Sequence, residues 1–368
     1  MMNNRENPVF LQEQIITYIG NKRTLLPCID AEVQRIREKL GGRKLICADL
    51  FAGSGAVSRL LKQHASVLTV NDLETYSRVL AECYLCNRAE YPTEAVQAAL
   101  IRAEAALAEP TEGIISAQYA PRNDEAIQPG ERVFYTRDNA LRIDTYRAAI
   151  AKEDPALQSF LLGPLLYAAS VHTNTGGVFK GFYKDSRTGI GKFGGNGENA
   201  LTRILGKITL QAPVLSAFHS EVVIHQQDVN TLAKALPMQD LVYLDPPYNQ
   251  HPYGSNYFML NVIAENRLPG ALSPVSGIPE GWNRSDYNKR AKALAAMEDL
   301  VRTLPARYLL ISYNSEGFIT LAEMEDLLQR YGRVERREIS YPTYRASRNL
   351  RERSIKVSEY LFVLEKTK

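Results

Sequence analysis

Apolar runs of strand length alternate with polar, glycine-bearing breaks over the first 75 residues. Lys44-Leu45-Ile46-Cys47-Ala48-Asp49-Leu50-Phe51 is one such run, broken by Ala52-Gly53-Ser54-Gly55 ahead of a predicted helix from Ala56 to His64. Val67-Leu68-Thr69-Val70 is the next, and it ends at Asn71-Asp72. Strands alternating with helices predict an α/β fold with a parallel sheet. Leu241-Val242-Tyr243-Leu244 reads as a buried strand of that sheet, and Arg307 to Ile311 as another, with Tyr313-Asn314-Ser315 at its end. Val334 to Tyr341 and Tyr360 to Glu365 read as a closing pair.

The middle of the chain follows a different pattern. Thr93 to Ala108 is alanine-rich and helical, and Leu157 to Val171 is an apolar helix. From His172 to Gly197 glycine is too frequent for a helix, so this basic, aromatic stretch is predicted as a β-hairpin or structured loop outside the sheet. A second interruption, rich in Pro, Gly, Ser and Asn, runs from about Leu268 to Arg290. The layout predicts a sheet domain made of residues 1–89 and 206–368. Residues 90–205 form a largely helical insertion, and 268–290 a further contact loop.

Composition narrows this only slightly. With 45% hydrophobic and 23% charged residues in 368, the chain fits an ordinary globular protein of one large or two smaller domains. A formal charge of +3 is too small to identify a polyanionic partner, so any nucleic-acid surface must be a local patch. No apolar stretch is long enough for a membrane span and no signal-peptide core is visible, so a cytoplasmic protein is expected. Cys83-Tyr84-Leu85-Cys86 has the spacing of half a zinc site, but no second pair completes it. Reduced thiols packed on a helix, and no metal, are expected.

The chemistry concentrates in Asp245-Pro246-Pro247-Tyr248, at the carboxyl end of the Leu241–Leu244 run. Open α/β sheets bind ligands at that edge. A carboxylate and a carbonyl held by a stiff turn can grip an exocyclic amino group while the ring stacks on its base. The same four residues also suit a strand that simply ends in a proline turn. Gly53 and Gly55 let the backbone approach a ligand, although the third glycine of a dinucleotide fingerprint is missing. Asp72 stands where a carboxylate accepts ribose hydroxyls, or alternatively caps the next helix. Lys22 in Tyr18-Ile19-Gly20-Asn21-Lys22-Arg23 can reach a carboxylate or phosphate, and Tyr18 can pack on a cofactor.

These motifs, in this order and over about two-thirds of the chain, resemble the Dam-type, alpha-group adenine-N6 DNA methyltransferases. Val223 to Asp228, Ser312-Tyr313-Asn314 and the C-terminal segments Tyr344–Arg348 and Val357–Leu361 extend the resemblance. It implies a Rossmann-like, S-adenosylmethionine-dependent sheet. Tyr18 would lie against the cofactor, Lys22 would hold its methionine end, and Phe51, Gly53 and Gly55 would wrap methionine and ribose. Asp72 would bind the ribose hydroxyls, and Asp228 would stand near the cofactor adenine. Asp245, Pro246 and Tyr248 become the catalytic residues, with Asp245 also beside the cofactor, and Asn256 and Tyr257 are candidate walls of the adenine pocket. Duplex DNA is the implied partner, with a cognate restriction endonuclease as a second. Asn174, Lys180, Lys184, Arg187 and Lys192 form one candidate DNA surface, and Arg345 and Arg348 belong to another. Cytosine-N4 methylation is the competing chemistry, disfavoured by Asp at the head of the motif, and an inactive DNA-binding module is the competing class. The sequence leaves the recognition site and the oligomeric state open.

Overall fold

The computed structural model describes residues 6–20, 22–342 and 356–367. The chain divides into two compact units. A sheet unit holds Lys22–Leu73, Ala217–Pro252 and Arg284–Lys368, and a helical unit holds Met1–Asn21, Glu74–Ser216 and Tyr253–Asn283. The expected insertion at 90–205 is therefore redrawn. Helix Thr75–Tyr84 packs on helix Pro155–Val171 and on helix Phe258–Glu265, which draws the flanking segments into the helical unit. The 268–290 stretch is divided between the units rather than forming one loop.

The sheet contains β1 (Leu45–Asp49), β2 (Ala65–Asn71), β3 (Glu221–His225), β4 (Gln239–Leu244), β5 (Ala306–Asn314), β6 (Gly332–Pro342) and β7 (Lys356–Lys366). Their spatial order is β3-β2-β1-β4-β5-β7-β6. All neighbouring pairs from β3 to β5 are parallel, while β7 runs antiparallel to both β5 and β6. The closing pair is longer than the sequence pattern suggests, because β6 and β7 pair in continuous register from Gly332↔Lys366 onward. β4 is buried along its whole length, which explains its unbroken apolar run.

Alternate residues of three strands, Val242 and Leu244, Leu309 and Ile311, Phe362 and Leu364, share one core. This is the period-2 pattern of a pleated strand. Helices Arg290–Thr303 and Leu321–Gln329 supply Met297, Leu300, Met324 and Leu327 to the same cluster. Helix Ala56–Lys62 packs on β1 and β2 and against helix Leu26–Lys39, whose Ile29, Val33 and Ile36 lie three and four residues apart on its buried stripe.

Sheet order decides where a ligand belongs. From β1 the chain proceeds to β2 and β3 on one side, then returns to place β4 and β5 on the other. The order reverses between β1 and β4, so their carboxyl ends border a crevice, and Asp49 pairs directly with Tyr243 there.

The helical unit has its own core, with Tyr76, Tyr84, Phe134, Leu165 and Phe258 among its fully buried members. Helix Pro155–Val171 starts two residues earlier than its apolar run, because Asp154 caps it by accepting the Ala156 N–H at 2.9 Å and Pro155 suits the first turn. Cys83 is buried against Gly163 of this helix, where an added Cβ would stand 2.6 Å from its sulfur. Residues 172–197 form a structured loop with one antiparallel bridge, Lys184↔Gly191.

Candidate active site

A buried cluster of charged side chains surrounds the end of β4. Lys22 is only 5% exposed, and its Nζ lies 2.9 Å from Asp245 Oδ1 and 3.0 Å from Glu359 Oε1. One ammonium thus faces two carboxylates. Glu359 is held in turn by β5, since it accepts from Ser312 Oγ at 2.6 Å and from Asn314 Nδ2 at 3.3 Å. Strand register explains this: Asn314 pairs with Glu359 across the antiparallel β5–β7 ladder, and Ser312 is two residues along, on the same face. Burial raises the Asp245 carboxyl above the usual range, Lys22 pulls it back, and Glu359 pushes it up again.

The turn after Asp245 is anchored on both sides. Pro246 is buried, and its carbonyl accepts no hydrogen bond among the described residues. The Tyr248 carbonyl accepts the Phe318 N–H at 2.8 Å, and its ring meets Tyr313 edge-on at 6.4 Å. Asn288 Nδ2 donates to the Asn249 carbonyl at 2.8 Å. Two prolines, a β5 contact and an Asn contact fix the direction in which the carboxylate and carbonyl are offered.

At the end of β1, Gly53 and Gly55 both take positive φ, 52° and 77°, which an L side chain resists. Nothing lies within 4 Å of the place where a Cβ on Gly55 would stand. Asp72 Oδ2 accepts the Gly53 N–H at 2.7 Å. The alternative that Asp72 caps the next helix is not what is observed, since Glu74 occupies the N-cap position of helix Thr75–Tyr84. Asn71, which the sequence pattern left without a role, ties this edge together. Its Nδ2 donates to the carbonyls of Leu50 and Gln227, and its Oδ1 accepts the Gln227 N–H. Phe51 meets Tyr287 edge-on at 5.2 Å.

Asp49 sits beneath this turn. Its Oδ2 accepts from Ser58 Oγ at 2.6 Å, while its buried Oδ1 has no hydrogen-bond partner among the described residues. Burial pushes its carboxyl up to about 7, and the Asp245 and Asp72 charges act in the same direction against the Ser58 bond. A buried carboxylate oxygen without a donor, beside an open glycine cradle, fits a ligand that brings its own cationic or hydroxyl group. The residues therefore suit a methyl donor that carries an amine and a ribose.

Lys22 is engaged by two carboxylates of the protein itself. Two other expected residues sit differently from their anticipated roles. Asp228 is exposed and caps helix Val229–Ala233, accepting the Thr231 N–H at 3.0 Å, as Asp readily does. Asn174 is fully buried. Its Nδ2 donates to the carbonyls of Val133 and Lys192 and its Oδ1 accepts the Gly194 N–H, so it braces the glycine-rich loop instead of facing a partner.

The other loop residues behave as a surface. Lys180, Lys184, Arg187 and Lys192 are exposed. The aromatic residues between them have a structural task, since Phe179 is buried in the helical core and Phe182 packs against it. Tyr18 belongs to the helical unit, where its ring stacks at 4.5 Å on Tyr257 and at 4.9 Å on Tyr253. Tyr257 is buried and its hydroxyl accepts the Ile19 N–H at 2.6 Å, and the buried Asn256 offers its carbonyl to the Phe179 N–H. Arg345 and Arg348 lie outside the described residues. Among the described residues no helix is long and apolar enough to cross a membrane, and no cluster of His, Cys, Asp and Glu could hold a metal ion.

Sequence reasoning missed Glu359 as a site residue. Its only signal was an acidic residue immediately before the apolar Tyr360–Leu364 run of the last strand, where a buried charge demands a partner.

Residues 18–272 match the family described as D12 class N6 adenine-specific DNA methyltransferase. The Type II methyltransferase M.NlaIII of Neisseria lactamica is 28% identical over 362 residues, covering 96% of this chain and all of that protein. The Type II methyltransferase M.CviAII of Paramecium bursaria Chlorella virus 1 is also 28% identical, over 87% of this chain and 90% of that protein. The modification methylase StsI of Streptococcus sanguinis is 28% identical over 95% of this chain, which spans 52% of its length. The match runs from the Tyr18 motif past the Asp245 motif, and the seven-stranded sheet is consistent with a Rossmann-like methyltransferase fold. The chain belongs to the D12 class of N6 adenine-specific DNA methyltransferases.

Proposed function

We propose that this enzyme is a Dam-type, alpha-group methyltransferase that takes its methyl group from S-adenosylmethionine and serves as the modification half of a restriction–modification system. The observation that carries the reading is the end of β4, where the Asp245 carboxylate and the unengaged Pro246 carbonyl are held at the switch point of the sheet. Type II relatives of similar length support the restriction–modification context.

The donor would be held by Asp72, by the cradle of Phe51, Gly53 and Gly55, and by the orphan oxygen of Asp49. When bound, S-adenosylmethionine supplies a methyl group on a sulfonium, an electrophile that needs no additional activation. Adenine N6 is a poor nucleophile because its lone pair is delocalised into the ring. The Asp245 carboxylate and the Pro246 carbonyl each accept one N6 hydrogen, which drives the nitrogen toward a tetrahedral geometry and releases the lone pair for attack. Catalysis is then positioning and electrostatics. The N6 proton leaves readily once the nitrogen is alkylated, so Asp245 need not be a strong base.

A base inside a duplex cannot present N6 to this turn, so the target adenine is flipped out. Tyr248 stacks on it, a contact worth about 1–3 kcal/mol. Lys180, Lys184, Arg187 and Lys192 supply phosphate contacts from the helical unit, with Arg345 and Arg348 as further candidates.

Incubating the enzyme with labelled S-adenosylmethionine and unmethylated genomic DNA, followed by nucleoside analysis and mapping of the modified positions, tests the reading. Label in N6-methyladenine at one short sequence is the expected result. Label in cytosine, or none from a folded protein, overturns it.

A further inference from the structure

We propose that Glu359 is a positioning residue for methyl transfer: by sharing the Lys22 ammonium with Asp245, it keeps that carboxylate available as an acceptor and fixes where it points. The proposal rests on the role given to Asp245 under Proposed function.

The argument is geometric. Lys22 Nζ lies at nearly equal distances from Asp245 Oδ1 and Glu359 Oε1, 2.9 and 3.0 Å. Glu359 is 2% exposed and is pinned by Ser312 and Asn314 through the β5–β7 register, so the sheet itself decides where the ammonium stands. Asp245 is less enclosed, with its side chain 20% exposed. Of the two carboxylates, Glu359 is therefore the anchor and Asp245 the working group. A lysine left to Asp245 alone would form a closer pair with it and consume the lone pairs that must accept the N6 hydrogens.

The electrostatics agree with this arrangement. The Asp245 charge is also felt by Asp49 and Tyr243 at the ends of β1 and β4, and the negative charge of Glu359 opposes its ionisation while Lys22 favours it. Glu359 thus trims the effect of the lysine, whereas a purely structural tie would leave the Asp245 titration where it is.

The test compares the wild type with Glu359→Gln, which keeps the shape and a hydrogen-bond acceptor but loses the charge. Two readouts are used: the carboxyl ¹³C titration of Asp245 in the free protein, assigned with Asp245→Asn, and the single-turnover methyl-transfer rate. The Asp245 midpoint should move to lower pH by about one unit, and the rate should fall about tenfold with apparent substrate affinities within about threefold. An unshifted midpoint and an unchanged rate would overturn the proposal.

If Glu359→Gln does not fold, Ser312→Ala and Asn314→Ala keep the charge but release the anchor. A reduced rate with an unmoved midpoint supports the role, and no change in rate refutes it. Because the titration needs neither DNA nor methyl donor, a shift in a protein that methylates nothing would separate failure of the functional reading from failure of this one.

Discussion

Two regions, the strand-end cluster of the sheet unit and the 172–197 loop of the helical unit, handle polar residues in opposite ways. In the sheet unit, Lys22 is set against Asp245 and Glu359, and Asp49 is buried nearby on Ser58. In the 172–197 loop the lysines and Arg187 face outward, and the buried Asn174 satisfies the backbone beneath them. Buried ionic groups are costly to isolate, so each member of the first set depends on its neighbours. Exposed lysines and arginines act nearly independently and are felt through salt. Chemistry that needs sub-ångström placement belongs in the first environment, and sequence-tolerant attraction to a polyanion belongs in the second.

The largest expected effect comes from breaking the first environment. Lys22→Met leaves two carboxylates without their shared cation, and stability at pH 8 should fall by about 3 kcal/mol. The sign with pH follows from the charges. Without Lys22 the Asp245 carboxyl titrates higher still, so the protein loses stability as pH rises through that raised value and regains it on acidification. Urea unfolding at pH 8 and pH 5.5 reads both arms. Equal losses at the two pH values would mean the cluster is not ionically coupled.

Asn174→Ala comes next. It strands the Gly194 N–H and removes the brace under the loop, at a cost of about 1–3 kcal/mol in thermal or denaturant unfolding. DNA affinity should fall with it although Asn174 faces no DNA, because the basic loop loses its shape. A stable variant with full DNA affinity would reassign the brace.

Replacing Lys184 and Arg187 by alanine should have the smallest effect on the fold. Affinity should weaken similarly for all duplex sequences, and the dependence of log affinity on log salt should flatten by about 2. The single-turnover rate on saturating DNA should not change. A changed rate would bring these side chains into the chemistry and erase the contrast between the units.

The legibility of the sequence follows the same division. Strand runs, the glycine turn and the Asp245 motif could be read because local patterns determine them: unbroken apolar runs in β4 and β5, positive φ at Gly53 and Gly55, a proline-stiffened turn after β4. Partners could not be read, because they arise from register. Glu359 meets Lys22 only because β7 pairs antiparallel with β5, and the sequence does not state that Asn314 lies opposite Glu359. Asn174 and Asp228 misled for a related reason. Amides and carboxylates suit ligands, but they suit loop braces and helix caps equally well, and only the folded partners, backbone groups in both cases, distinguish these uses. The insertion boundaries slipped because helix Thr75–Tyr84 packs across to Pro155–Val171, a choice made by tertiary contact rather than by composition.

The central claim is that the Asp245 carboxylate, held by Lys22 at the end of β4, acts in the methyl-transfer step itself and not in binding. A rapid-quench single turnover on duplex DNA, wild type beside Asp245→Asn, measures that step directly. The account predicts a rate at least about a hundredfold lower, with N6-methyladenine as the residual product and with DNA and methyl-donor dissociation constants within a few-fold of the wild type. A rate that stays near the wild type, or a loss that resides wholly in binding, would contradict it.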